Sequence, residues 1–359
     1  MDDSKKRQFR KEQAAFLYCR DLNERELLDL LGHRNSYIRT AAVNKLQIQG
    51  PGGAMLRCGC GDFQTARPGS NSIALSPSNA GLTDHMIELC SARDYRLRSS
   101  GAAVLASLTI GSKEKLERVI NILSFFALND SSKEVRISAI YALGYRYSLE
   151  RKYHGFIFSI LARTAKDADA ALRLAGTHAL SNVREKKMIP VVEKLLRDQD
   201  KHVRDWTAFY VKNSEYSGFD SEGIRGGLVA MLDDEYDDAR AEAVCSLAFL
   251  RDRRALPALH RELDVDAESI KDIMAEAAAD LGDASLLPNL EVWDQRFPND
   301  QHIRTQLRRL QSPGGAMLRR SSGDIQTTQP SSNFIVSSPI KVGQAKRDKK
   351  SGADSNEDR

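Results

Sequence analysis

Seven histidines and five cysteines are the side chains in this 359-residue sequence best suited to metal or nucleophilic chemistry. His33, His85, His154, His178, His202, His260 and His302 are scattered along the chain, and no His-Glu dipeptide occurs to supply the paired ligands of a diiron centre. Such scatter reads as surface histidines. Cys58-Gly59-Cys60 offers two thiolates, too few for a structural zinc site. Gly59-Cys60-Gly61 lacks the third glycine and the preceding strand of a dinucleotide loop. There is no Gly-x-Ser-x-Gly, phosphate-binding loop or His-Glu-x-x-His. The expectation is a chain that is not an enzyme and carries no metal or cofactor.

Recognition is the chemistry that remains. Tyr141, His178, Asp205, Trp206, Phe209, Tyr210 and Glu242 are candidate partner-binding residues, because they fall off the buried stripe of the helices that carry them. Trp and Tyr are frequent interface anchors. The competing reading is that Trp206 packs between neighbouring repeats. The run Asp233-Asp234-Glu235-Tyr236-Asp237-Asp238 is a solvated turn that could steer a basic partner. Nucleic acid is not expected. The net charge is only +4, basic and acidic residues are interspersed, and Asp205, Asp237, Asp238 and Glu242 would repel phosphate.

The elements that must position these residues follow one recurring phrase: an aliphatic, Arg, two free positions, a small residue, three free positions, an aliphatic. It occurs at Ile38/Arg39/Ala42/Leu46, Leu97/Arg98/Gly101/Leu105, Val135/Arg136/Ala139/Leu143, Leu172/Arg173/Gly176/Leu180, from Val203-Arg204 to Val211, and at Ala239/Arg240/Ala243/Leu247. Weaker forms stand at Ile273/Met274/Ala277/Leu281 and Ile303/Arg304/Leu307. Positions four apart share a helix face, and the small residue admits a neighbouring helix. The steps between copies are 59, 38, 37, 31, 36, 34 and 30 residues, the period of a helical repeat array. Five residues before each anchoring aliphatic stand Asp130, Asp167, Asp198 and Asp234, with Glu268 in the next repeat. Asp at such a turn accepts N–H bonds, and Arg after the anchor can reach a neighbouring turn. Asp130, Asp167, Asp198 and Asp234 with Arg136, Arg173, Arg204 and Arg240 are therefore assigned to a structural ladder.

The anomalous 59-residue step holds a segment rich in Gly, Pro, Ser and Asn. Residues 51–77 return as 313–339 with 17 identities in 27 positions. The sequence therefore divides into an N-terminal helix and first hairpin (1–50), an insertion without structure (51–79), the main array (80–311) and a polar tail with the second copy (312–359). The duplicate reads as an inserted element tolerated in a loop, the other possibility being a repeated binding motif. Residues 4–20 are expected to form a helix with Phe9, Ala14, Phe16, Leu17 and Tyr18 on its apolar side. The odd cysteine count, the lack of an apolar leader and the lack of any run approaching 18 apolar residues point to a cytoplasmic protein, and a monomer is expected.

With Asp in the turn and Arg after the aliphatic, the phrase resembles HEAT repeats, notably the short bacterial type of phycobilisome lyases. The stretches Leu22-Asn23-Glu24-Arg25-Glu26-Leu27, Ala127-Leu128-Asn129-Asp130, Val203 to Phe209 and Leu281 to Pro288 resemble enterobacterial HEAT-repeat proteins encoded beside Rhs polymorphic-toxin loci. The resemblance implies an all-α superhelix of about seven to eight helical hairpins. It also implies an immunity protein that binds a toxin C-terminal domain. A lyase acting on a tetrapyrrole or other small ligand, or a generic adaptor, are the alternatives.

Overall fold

The computed structural model describes residues 3–49, 77–183, 185–213, 220–264 and 271–312. Among these residues every regular element is helical. Helix α1 (Asp3–Cys19) precedes eight hairpins. They pair α2 (Glu24–Asp29) with α3 (Ser36–Gln49), α4 (Pro77–Leu89) with α5 (Tyr95–Leu105), α6 (Lys113–Asn129) with α7 (Lys133–Leu149), and α8 (His154–Thr164) with α9 (Ala170–Leu180). The series continues with α10 (Ile189–Leu195) and α11 (Lys201–Asn213), α12 (Glu222–Ala230) and α13 (Asp237–Phe249), α14 (Leu256–Asp264) and α15 (Lys271–Leu281), then α16 (Leu287–Arg296) and α17 (Gln301–Gln311). Helix α4 starts at Pro77, inside the stretch expected to lack structure; the rest of that insertion, 51–76, and the tail from 313 lie outside the described residues.

Local chemistry sets the helix starts. Asn23 and Glu26 form a reciprocal capping box on α2. Asp94, Asp169 and Asp300 cap α5, α9 and α17. Pro190 and Pro288 occupy first turns, where a missing N–H leaves no bond unmade. The small residue of the repeated phrase does what its size suggests. A Cβ on Gly176 would stand 2.8 Å from Thr164 Oγ1 on the paired helix, and one on Gly101 would stand 3.0 Å from the Met86 carbonyl oxygen. Between repeats the approach is closer still: a Cβ on Gly144 would meet Ala179 Cα at 2.7 Å.

Successive second helices, from α5 to α17, pack on one another more extensively than successive first helices do. That difference puts the second helices on the inner side of the curve. The anchoring aliphatics Val135, Leu172, Val203 and Ile303 belong to one continuous core. Helix α1 corrects an expectation. Phe9, Phe16, Leu17 and Tyr18 are exposed, and Ala15 and Cys19 are what it buries. Among the described residues it packs mainly on α3, so a narrow stripe is covered.

Candidate protein-binding face

The inner helices are locked in register by turn-to-turn ion pairs. Arg98 reaches Asp130 with bonds of 2.8 and 2.9 Å, Arg173 reaches Asp198 at 2.7 and 2.8 Å, and Arg204 reaches Asp234 at 2.6 and 2.8 Å. Arg136 makes a single bond of 2.5 Å to Asp167. The same guanidiniums close their own turns: Arg173 Nη1 donates to the carbonyls of Asp167 and Ala168, and Arg204 Nη1 to those of Asp198 and Gln199. Each Asp then accepts the N–H two residues on, from Ser132, Asp169, Asp200 and Tyr236. Bidentate, charge-assisted geometry of this kind fixes orientation as well as distance. The Arg204 guanidinium holds the Asp234 carboxyl below the usual carboxylate range.

Two arginines depart from the pattern. Arg240 turns back to Asp237 at 2.6 Å and to the Asp234 carbonyl; Glu268, its expected relation, lies outside the described residues. Arg39 finds Ala92 where an acid would stand. Its Nη2 instead reaches Glu134 on α7 at 2.5 Å, one hairpin further along.

On this frame the candidate residues fall into two adjoining groups. The first is aromatic and joins three helices. His178 of α9 lies 4.7 Å from the Trp206 ring in an edge-on contact and stacks on Tyr141 of α7 at 5.9 Å. Its Nδ1 is hydrogen-bonded to the Tyr210 hydroxyl at 2.7 Å. Trp206 also meets Phe209 at 5.3 Å and Tyr210 at 5.8 Å. Burial pushes the His178 imidazole down to about 4, so the ring is neutral. It is therefore not the freely solvated histidine that its sequence spacing suggests. Tyr141 is 41% exposed, and Trp206, Phe209 and Tyr210 are half-buried.

The second group is acidic and begins one residue before Trp206. Asp205 is 8% exposed, and no hydrogen bond or ion pair engages its carboxylate among the described residues. Burial, then Glu242, Asp238 and Asp234, push it up to about 7. On α13, Glu242 Oε2 has no hydrogen-bond partner among the described residues and lies 3.7 Å from the Lys212 ammonium. Burial raises the Glu242 carboxyl, with Lys212 opposing. Asp280 pairs with Arg309 at 2.7 Å. Lys212, Glu276, Asp280 and Arg309 escape sequence reasoning. The available signal is the i, i+4 spacing of Asp238/Glu242 and Glu276/Asp280 on successive second helices. Among the described residues no three His, Cys, Asp or Glu converge as metal ligands would. No helix there is long and apolar enough to cross a membrane. A depression of about 570 Å³ lies elsewhere, lined by Cys90, Arg118 and Phe125.

Stacked antiparallel helix pairs with tightly packed inner helices define an α-solenoid. A family model described as HEAT repeats matches residues 125–211. Protein YibA of Escherichia coli K12 is 32% identical over 305 residues, covering 85% of this chain and 97% of its own length, and the YibA protein of strain O157:H7 gives the same values. An X-ray structure of E. coli YibA superposes with a TM-score of 0.65 at 30% identity, covering 84% of this chain and 97% of that one. The chain belongs to the HEAT-repeat family that includes YibA.

Proposed function

We propose that this chain acts by binding a protein rather than by catalysis, and that its partner is a toxin C-terminal domain of the Rhs type, neutralised by occlusion. Repeat solenoids are suited to protein interaction, since their stacked helices present an extended platform. The observation that carries the binding reading is the aromatic group on the inner helices, Tyr141, His178, Trp206, Phe209 and Tyr210. It joins three successive repeats and leaves ring surface uncovered. Half-exposed aromatics held rigid by one another bind at low entropic cost. The identity of the partner rests on the sequence resemblance to proteins encoded beside toxin loci.

Affinity capture from source cells tests it. Full-length protein and a version lacking residues 312–359 are both expected to recover a toxin C-terminal domain in stoichiometric amount. Trp206→Ala is expected to lower affinity for that domain by about 2 kcal/mol or more, with the helical circular dichroism unchanged. Loss of folding in that variant would make Trp206 a packing residue and end its assignment as an anchor. Recovery of many unrelated proteins, or recovery only with the tail present, would favour an adaptor.

A further inference from the structure

We infer that the acidic group beside the aromatic cluster is a receptor for a single cationic side chain, Arg or Lys, projecting from the bound protein between Asp205 on α11 and Glu242 on α13. This rests on the reading that the inner face binds a protein.

The balance of charge carries the inference. Three buried carboxylates of the turns are matched: Asp130, Asp198 and Asp234 each receive two guanidinium bonds and a backbone N–H. Asp205 is as buried as those and receives none among the described residues. Its neighbours add to the charge instead of offsetting it. Asp238 is occupied with the Tyr236 hydroxyl at 2.6 Å, and Glu242 has one Lys212 ammonium at 3.7 Å, beyond hydrogen-bonding reach. Lys212 is itself shared with Glu276 and Asp280 on α15. Arg309 engages Asp280, which leaves the Lys212 ammonium to face Glu242 and Glu276, and a buried charge with no partner is costly.

The spread of the acids over α11 and α13 selects the occupant. No trio of ligands converges there as a metal ion would need, so the complement is an organic cation that spreads its donors over two helices. Trp206 and Phe209 stand on the same helix as Asp205, within one turn, and can cover the aliphatic stem of Arg or Lys. A partner segment that fits has an apolar or aromatic residue over His178 and Trp206 and a basic residue one step further along the array.

The test pans the full-length protein against a random-peptide display library and then measures the selected peptides at low ionic strength, where charge pairing is least screened. Peptides carrying Arg or Lys next to an apolar residue are expected. Replacing that Arg by citrulline, which is neutral and nearly isosteric, should weaken binding about tenfold or more. Asp205→Asn should weaken it equally while melting no lower than the parent protein; Glu242→Gln serves if that variant misfolds. Selected peptides that need Trp206 but lack basic residues, or bind Asp205→Asn unchanged, would overturn the cation receptor and leave the inner face as a binding surface. Peptides indifferent to both Trp206→Ala and Asp205→Asn would overturn the two readings together.

Discussion

Asp198 and Asp205 lie seven residues apart, and burial leads them in opposite directions. For Asp198, burial alone would raise the carboxyl, but the Arg173 guanidinium and the Asp200 N–H outweigh it and hold the group below its usual range. Its folded value is lower than its unfolded one, so its stabilisation is present above about pH 4 and is lost on acidification. Asp205 has no such partner, and its folded value stands at about 7. Here the folded state binds the proton more tightly, so stability declines as pH climbs from about 4 to about 7. Asp205→Asn is accordingly expected to raise the unfolding free energy at about pH 8 by on the order of 3 kcal/mol, with the gain fading near pH 4. Urea denaturation at the two pH values measures this, and equal stability at the higher pH would mean the carboxylate is compensated in solution. Sequence reading marks Asp205 as an inner-face residue. Its isolation depends on where α13 brings Glu242, which spacing along one helix does not reveal.

At the scale of elements, the hairpins are legible because their periodic signal is local. Arg one residue after the anchoring aliphatic and Asp five before it are both within two turns of the helix start. The same holds for the caps. Which side of a terminal helix is covered is not local. The apolar residues of α1 suggest a broad buried face, yet among the described residues α1 packs mainly on α3, and Phe16, Leu17 and Tyr18 stay exposed. Two glycines separate close packing from mere permissiveness. Gly144→Ala would drive a methyl into Ala179 across the α7–α9 contact and should destabilise by about 1–3 kcal/mol. Gly155, on α8, has open space where a Cβ would go, and Gly155→Ala should stabilise by about 0.5 kcal/mol. Thermal unfolding of the pair checks both signs, and a neutral Gly144→Ala would mean that the two helices can separate without loss.

Across the whole molecule, cohesion is a sum of neighbour contacts, as expected of a solenoid. Arg39–Glu134 is an ion pair that skips a hairpin, tying the first to the third. Replacing residues 51–76 by a short Gly-Ser linker should then change the unfolding free energy by no more than about 1 kcal/mol, because the cost of closing a loop varies slowly with its length. A larger loss in chemical denaturation would show that the segment contributes to the array. The turn-to-turn pairs have one more property: each Arg donates forward to the Asp of the following turn. A copy of residues 167–197 inserted ahead of Asp198 would find a donor behind it in Arg173, and its own Arg173 equivalent would meet Asp198 unchanged. The joint at Arg173–Asp198 is repeated at Arg98–Asp130 and Arg204–Asp234, so this part of the array can be lengthened or shortened by whole units without redesigning a contact. Its reach toward a larger or smaller partner is a matter of copy number.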